Sequence, residues 1–163
     1  MSRGLAVLAS TAALALAGCG FTPLYGTPQV GSLAAVEIDA VEGRAGFLLR
    51  QHLDDALARK AGAPAAYRMQ LQLNEARFPR GVRIDNVATR YEYQLTVNYL
   101  LAAYPSGALA KRGRVRVELT YDSADQPYAS IAAQQDAQDR GAEEAARRIH
   151  QELAVWLATG AGR

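Results

Sequence analysis

The single cysteine of the chain, Cys19, carries the clearest chemistry in the sequence. It closes the run Leu-Ala-Gly-Cys at residues 16–19, behind a basic start at Arg3 and an apolar stretch over residues 5–17. A basic start, an apolar core and small residues before a cut are the parts of an export signal. A cysteine in this place becomes the first mature residue, where its thiol takes a diacylglycerol and the freed amino terminus takes a fatty acid such as palmitate. The sequence therefore predicts a signal peptide over residues 1–18, removed on export, and lipidation at Cys19.

Two other interpretations compete for this segment. The apolar run of about thirteen residues is short for a membrane-spanning helix, which needs roughly twenty. A buried or disulfide-bonded cysteine is the second alternative, but the chain has no other cysteine, so no internal disulfide can form. An unpaired thiol in an exported protein is otherwise hard to explain. Because Gly20 follows Cys19 where an aspartate would favour retention at the inner membrane, we expect sorting to the outer membrane.

Length and charge indicate one exported domain without affinity for nucleic acid. Removal of the signal leaves 145 of the 163 residues, which is the size of a single domain. The chain has 18 Lys and Arg against 16 Asp and Glu, and the loss of Arg3 reduces that small excess further. No strong positive field remains to attract nucleic acid. Residues 19–34, with Pro23, Gly26 and Pro28, predict an extended tether, and residues 35–159 a single domain.

The hydrophobic period changes along that domain. Residues 35–41 alternate weakly and predict a short first strand. After Gly43, apolar residues recur at helical spacing up to Gly62 and Pro64, which predicts an amphipathic helix. Alternating patterns over residues 67–74 and 90–99 then predict two strands in which one side of the pleat is buried.

A third strand and a long helix complete the order. Residues 104–107, Tyr-Pro-Ser-Gly, predict a turn, and alternation over residues 114–121 predicts the strand that completes an antiparallel hairpin. From Ser130 to Ala158 an apolar stripe predicts a second helix, which Gly141 interrupts with a kink or a late start. The fold class is α+β, with two helices packed on one face of a four-stranded, largely antiparallel (mixed) sheet. The other face then stays polar, which suits either water or the polar lumen of a membrane barrel.

Residues able to support catalysis are scattered. His52 and His150 each stand alone among polar residues on predicted helices, whereas a metal site needs a cluster of ligands. The pair Glu143-Glu144 lies one turn before Arg147-Arg148, an arrangement typical of ion pairs on an exposed helix. Neither a G-x-S-x-G nor a Walker pattern occurs. We therefore expect no enzyme, no metal site and no cofactor.

Two groups of cations are candidates for binding an anion. Arg77, Arg80, Arg83 and Arg90 surround the Pro79–Gly81 segment, expected to connect two strands, and Lys111, Arg112, Arg114 and Arg116 begin the last strand. Basic residues also keep sheet edges soluble, and this interpretation stays open. Arginine grips phosphate and carboxylate groups in a bidentate manner. The polar sheet face is expected to carry Arg90, Arg114 and Arg116, so the two groups form a candidate contact for an anionic ligand or a barrel wall.

Residues 16–26, Leu-Ala-Gly-Cys-Gly-Phe-Thr-Pro-Leu-Tyr-Gly, resemble the start of the LPS-assembly lipoprotein family, LptE, in which a Gly-Phe-x-Pro-Leu-Tyr run follows the lipidated cysteine. Two interior segments are similar to family segments as well: Thr89-Arg90-Tyr91, and Tyr121-Asp122 ahead of Pro127-Tyr128-Ala129. The resemblance implies two helices against a four-stranded sheet in an outer-membrane lipoprotein, with its domain facing the periplasm or inside the lumen of the β-barrel LptD. It implies that the domain plugs this partner, assists its assembly and takes part in lipopolysaccharide transport.

The alternative from another class is a free-standing periplasmic lipid-binding or envelope-maintenance lipoprotein. Such a protein would need an internal apolar cavity. The strands alternate, and the helices have few large side chains, so the sequence offers little material for a deep pocket. Direct contact with lipopolysaccharide remains open at this stage, and of the residues named only Cys19 is carried over from the family.

Overall fold

The computed structural model describes residues 33–59, 62–82, 84, 88–123 and 126–160. Its elements are β1 (Val36–Ile38), α1 (Gly43–Ala56), β2 (Tyr67–Val82), β3 (Ala88–Ala103), β4 (Leu109–Asp122) and α2 (Pro127–Ala158). The signal segment, Cys19 and the tether up to residue 32 lie outside the described residues. The order of elements and the α+β class are as predicted.

The sheet has the order β1-β2-β3-β4, so that neighbours in sequence are neighbours in space. β1 pairs with β2 in parallel over three residues, Val36 facing Tyr67 at the start. The other two pairings are antiparallel and long, with Tyr67 opposite Ala103 and Arg90 opposite Asp122. The sheet is therefore mixed, and its parallel part is confined to one short edge strand.

The core lies between the sheet and the two helices. Odd-numbered side chains of β3 and β4 point into it, including Leu95, Val97 and Val117, which are almost completely buried. From the helices, Leu49, Leu53, Ile149 and Leu153 meet them in the same cluster. This one-sided burial follows from the period of two along the strands, and it leaves the even-numbered side chains on the opposite face.

The late start predicted as one of two effects of Gly141 does not occur, because α2 runs as one helix from Pro127 to Ala158. Gly141 is buried, and a methyl group there would lie 2.9 Å from Cε1 of Tyr93. The glycine is thus a contact point at which the helix approaches an aromatic ring of the sheet. The prediction was wrong because propensity counts only the local cost of glycine and not this packing.

The prediction that Pro79–Gly81 connects two strands was also wrong. The segment belongs to β2. β2 runs for 16 residues and stays paired with β3 up to Val82. The apolar alternation ends after Leu73, since Glu75, Arg77 and Pro79 take the odd positions. Pairing with a strongly alternating neighbour extends the strand beyond its own hydrophobic pattern.

β4 is the long edge strand of the sheet. The backbone N–H of Ser123 donates to the carbonyl of Thr89, which makes the odd-numbered residues the hydrogen-bonded pairs between β3 and β4. The backbone groups of even residues of β4 therefore point away from the sheet. One of these carbonyls, that of Arg116, accepts a hydrogen bond of 2.9 Å from Nη1 of Arg148 on α2.

Candidate functional site

The sheet face turned away from the helices is largely polar, and we call it the open face. Its side chains are the even-numbered ones of β2, β3 and β4, aligned in rows across the three strands. From the hairpin of β2 and β3 downward, these rows are Arg80–Arg90–Asp122, Phe78–Glu92–Thr120, Ala76–Gln94–Glu118, Asn74–Thr96–Arg116, Gln72–Asn98–Arg114 and Gln70–Leu100–Arg112. Amides, hydroxyls and charges make up most of these rows, and Phe78, Ala76 and Leu100 are their apolar members.

Three of the predicted arginines lie on this face with carboxylate partners beside them. Nη2 of Arg80 donates to Oε2 of Glu92 at 2.9 Å, and Nε of Arg90 donates to Oδ1 of Asp122 at 2.8 Å. Nε of Arg116 donates to Oε1 of Glu118 at 2.7 Å. These exposed pairs neutralise one another and contribute little to stability, on the order of 0–1 kcal/mol each.

Arg114 differs from them, because no described residue forms an ion pair or hydrogen bond with its side chain. The same holds for Arg112, two residues earlier on the same face, within the described part of the chain. Their cross-strand neighbours are Asn98 and Leu100, neither of which carries charge. The uncompensated positive charge of the open face is therefore concentrated at the start of β4. The sequence already named Arg112 in the second cation group, and the period of two along β4 was the signal that could have placed it on the open face with Arg114 and Arg116.

Arg77 does not join the other arginines. Its register partner is Tyr93, which points toward the helices, so Arg77 lies on the helix side of the sheet. There it donates to Oε1 of Gln134 on α2, and its guanidinium stands 5.3 Å from the centroid of the Tyr91 ring. Arg83, like Cys19, lies outside the described residues. The described members of this group are therefore divided: Arg77 lies on the helix side of the sheet, whereas Arg80 and Arg90 lie on the open face.

Two tyrosines of β3 donate hydrogen bonds to carboxylates on the helix side of the sheet. The hydroxyl of Tyr93 donates to Glu75 at 2.8 Å, and that of Tyr99 to Glu152 of α2 at 2.5 Å. Burial raises the pKa of both phenols well above the ordinary value, and the hydrogen bonds to the carboxylates raise it further. Both groups stay neutral donors at any physiological pH, which suits a structural role.

The histidines lie where the two helices meet. Nε2 of His52 is 2.9 Å from Oδ1 of Asp139, which links α1 to α2. His150 and Glu143 line a groove of about 360 Å³ beside this contact. No three His, Cys, Asp or Glu side chains of the described ranges are arranged to hold a metal ion. The polar side chains of this groove therefore belong to the contact between α1 and α2.

Large apolar side chains are exposed at both ends of the strands. The near end, where Leu33 enters the domain, has Tyr104, Leu109 and Val155 exposed by 51–64%. The far end, at the hairpin of β2 and β3, has Phe78, Ile84, Tyr128 and Ile131 exposed by 42–108%. Within the described residues, no helix has the length and apolarity that crossing a membrane requires.

Comparison with known proteins identifies the architecture. The family model described as LptE, lipopolysaccharide-assembly, matches residues 33–153. The chain belongs to the LptE family. It is also 54% identical to a putative lipoprotein from Caulobacter crescentus, whose crystal structure it matches with a TM-score of 0.73 over 82% of this chain and 98% of that one. No curated protein matches the sequence.

More distant structures share the LptE fold. Rare lipoprotein B from Shewanella oneidensis is 16% identical and matches with a TM-score of 0.58 over 77% of this chain and 96% of its own. An uncharacterized lipoprotein B from Nitrosomonas europaea is 14% identical, with a TM-score of 0.57 over 78% and 84%. Membership in the LptE family makes this chain a lipopolysaccharide-assembly lipoprotein of the cell envelope, and a non-enzymatic one.

Proposed function

We propose that this LptE-family protein is anchored in the outer membrane through Cys19 and plugs the lumen of a partner β-barrel, LptD, whose assembly it assists during lipopolysaccharide transport. The observation that carries the proposal is the open face, a polar surface that runs along strands of 16 residues. A membrane barrel presents alternating side chains, apolar toward lipid and polar toward its lumen. The open face offers such a lumen fixed amide, hydroxyl and guanidinium groups in place of water.

The dimensions of the sheet agree with this role. Sixteen residues at about 3.3 Å per residue give strands roughly 50 Å long. A bilayer with its headgroups is about 40–45 Å thick. A domain aligned with the barrel axis would therefore line the lumen from one membrane surface to the other.

The distribution of charge on the open face supports a location for the contact with an anionic partner. Arg80, Arg90 and Arg116 are neutralised by carboxylates at 2.6–2.9 Å, so a ligand would have to displace those partners. Arg112 and Arg114 need no such displacement. We place the contact with a barrel carboxylate or a phosphate of lipopolysaccharide at these two residues, with the paired arginines as flanking groups.

Affinity purification of the tagged, lipidated protein from detergent-solubilised envelopes tests the plug. A large outer-membrane barrel recovered in near-equal amount is the expected result. Recovery of the lipoprotein alone would refute it and favour a free-standing lipid binder. Replacement of Cys19 by alanine should reduce barrel assembly through mislocalisation while the isolated domain folds normally, since the acyl chains act by confining the domain near its partner. A soluble Cys19→Ala protein that fails to fold would contradict this.

A matched pair of charge reversals tests the arginines. The double variant Arg112→Glu and Arg114→Glu should recover less barrel than the wild type. The double variant Arg50→Glu and Arg147→Glu changes the net charge equally on the helix side, where both arginines are exposed, and should recover the normal amount. Equal losses in the two variants would show that net charge matters and the location on the open face does not.

A further inference from the structure

We propose that the near end of the domain is a membrane-docking surface that seats the lipoprotein on a phospholipid bilayer before a barrel takes it up. The inference rests on the proposed anchor at Cys19. The surface consists of Tyr104, Leu109, Val155 and Trp156, with Lys111 beside them. Of these residues, only Lys111 belongs to the cation groups described above.

These side chains gather around one cross-strand pair, Tyr67 and Ala103. The ring of Trp156 packs edge-on against that of Tyr67, with 5.7 Å between centroids. Tyr104 follows Ala103 and its N–H donates to the carbonyl of Ala66. Leu109 begins β4 opposite Ala102. The residues therefore occupy a single end of the sheet and not separate loops.

The chemistry of this end suits the boundary between water and lipid. Leu109 is 61% and Val155 64% exposed, although both are apolar. Tyrosine and tryptophan, which combine an apolar body with a polar edge, are enriched where membranes meet water. Val155, Trp156 and Lys111 line one groove of about 500 Å³, which places an ammonium group at the rim of the apolar patch.

The charges at this end leave the lysine available for an anionic headgroup. Glu37 and Asp39 are engaged by Arg68 at 3.5 and 3.6 Å, and Glu152 accepts the hydroxyl of Tyr99. No described carboxylate pairs with Lys111. Basic residues next to a membrane are attracted to anionic lipids and reach the interface with long side chains.

The length of the tether decides which apolar end docks. Leu33 lies fourteen positions after Cys19, and an extended segment of that length, as the sequence predicts for the tether, reaches about 43 Å at about 3.1 Å per residue. Leu33 is buried at the near end, where the carbonyl of Ala35 accepts the N–H of Ala66. The far end lies roughly 50 Å away along the strands. Acyl chains at Cys19 thus hold the near end against the bilayer and leave the far end and the open face free.

The sequence provides its own reporter, because Trp156 is the single tryptophan of the chain. The lipoprotein, purified from membranes, is placed in vesicles of phosphatidylethanolamine and phosphatidylglycerol, with and without bromine on the acyl chains, and without any barrel. We expect the emission of Trp156 to shift to shorter wavelength and to be quenched by the brominated lipid. The double variant Leu109→Glu and Val155→Glu, both at exposed positions, should lose most of the shift and the quenching.

A relocated reporter provides the control. The double variant Trp156→Phe and Tyr128→Trp moves the indole to the far end, where Tyr128 is 88% exposed, and its emission should be insensitive to brominated lipid. Unquenched Trp156, or equal quenching at both positions, would overturn the docking surface.

Mass spectrometry of the N-terminal peptide separates this proposal from the anchor. Acylated protein with unquenched Trp156 would refute docking and retain the anchor. Protein without acyl chains that still shows quenching of Trp156 would refute the anchor and retain docking.

Discussion

Replacement of Gly113 by alanine is expected to destabilise the domain strongly, although it adds only one methyl group. Gly113 of β4 faces Tyr99 of β3, and the new methyl carbon would lie closer than 3.0 Å to the phenol ring. The ring cannot move aside freely, because Tyr99 is 1% exposed and its hydroxyl is bonded to Glu152 of α2.

Overpacking a close-packed core costs about 1–3 kcal/mol. A weakened hydrogen bond to a carboxylate adds about 1–2 kcal/mol. We therefore expect the free energy of unfolding to fall by about 3 kcal/mol. For a domain of this size, that loss lowers the Tm by roughly 10 °C.

Denaturant unfolding and thermal melting of the purified protein measure this effect. Gly141→Ala is the comparison variant, since its methyl group would lie 2.9 Å from Tyr93 while alanine gains about 1 kcal/mol of helix propensity, which offsets part of the cost of overpacking. That variant should lose less stability than Gly113→Ala. Adding Tyr99→Leu should make the cost of Gly113→Ala smaller than in the wild-type background. A Gly113→Ala protein as stable as the wild type would refute the close contact of Tyr99 with β4.

Two further predictions follow from the core. Tyr93 and Tyr99 should remain protonated above pH 10 and titrate in ultraviolet absorbance only as the protein unfolds. Because their pKa values are raised in the folded state, the stability from their neutral forms is fully present below about pH 10. It is lost progressively as the pH rises from about 10 through the raised values of the folded state. Ionisation of all tyrosines in one step near pH 10, in a protein that is still folded, would contradict this. Leu49→Ala, at a completely buried position, should lower the free energy of unfolding by about 2–5 kcal/mol in denaturant unfolding. Phe47→Ala, at a side chain that is 66% exposed, should change it by less than about 0.5 kcal/mol. Similar losses at both positions would mean that α1 packs through another face.

The strands and their buried sides were predictable where two signals agreed. Residues 91–99 alternate without a break and carry aromatic or branched aliphatic side chains inward, and the structure buries Tyr93, Leu95, Val97 and Tyr99. The turn at residues 104–107 was equally predictable from the sequence, because its glycine, Gly107, adopts a φ of 72° that other residues rarely reach. Local pattern and tertiary structure coincide in this hairpin.

Other features depend on partners that a sequence pattern does not contain. β2 continues past Leu73 because β3 pairs with it, and Gly141 remains inside a helix because an aromatic ring of the sheet requires the space. The site was predicted in the same partial way. Strand period placed Arg90, Arg114 and Arg116 on the open face, but the division into neutralised and uncompensated arginines depends on which carboxylates cross-strand register brings near.

The hydrogen bond from Arg148 to the backbone of Arg116 affects how the exposed edge of the sheet can pair with other chains. β4 leaves a strand of 14 residues at the edge of the sheet. Such edges recruit strands from other chains and begin aggregates. A guanidinium on one outward carbonyl, held in place by its own bond to Glu144, interrupts the ladder that an invading strand would need. Through this side chain, α2 protects part of the exposed edge of β4 from pairing with a strand of another molecule.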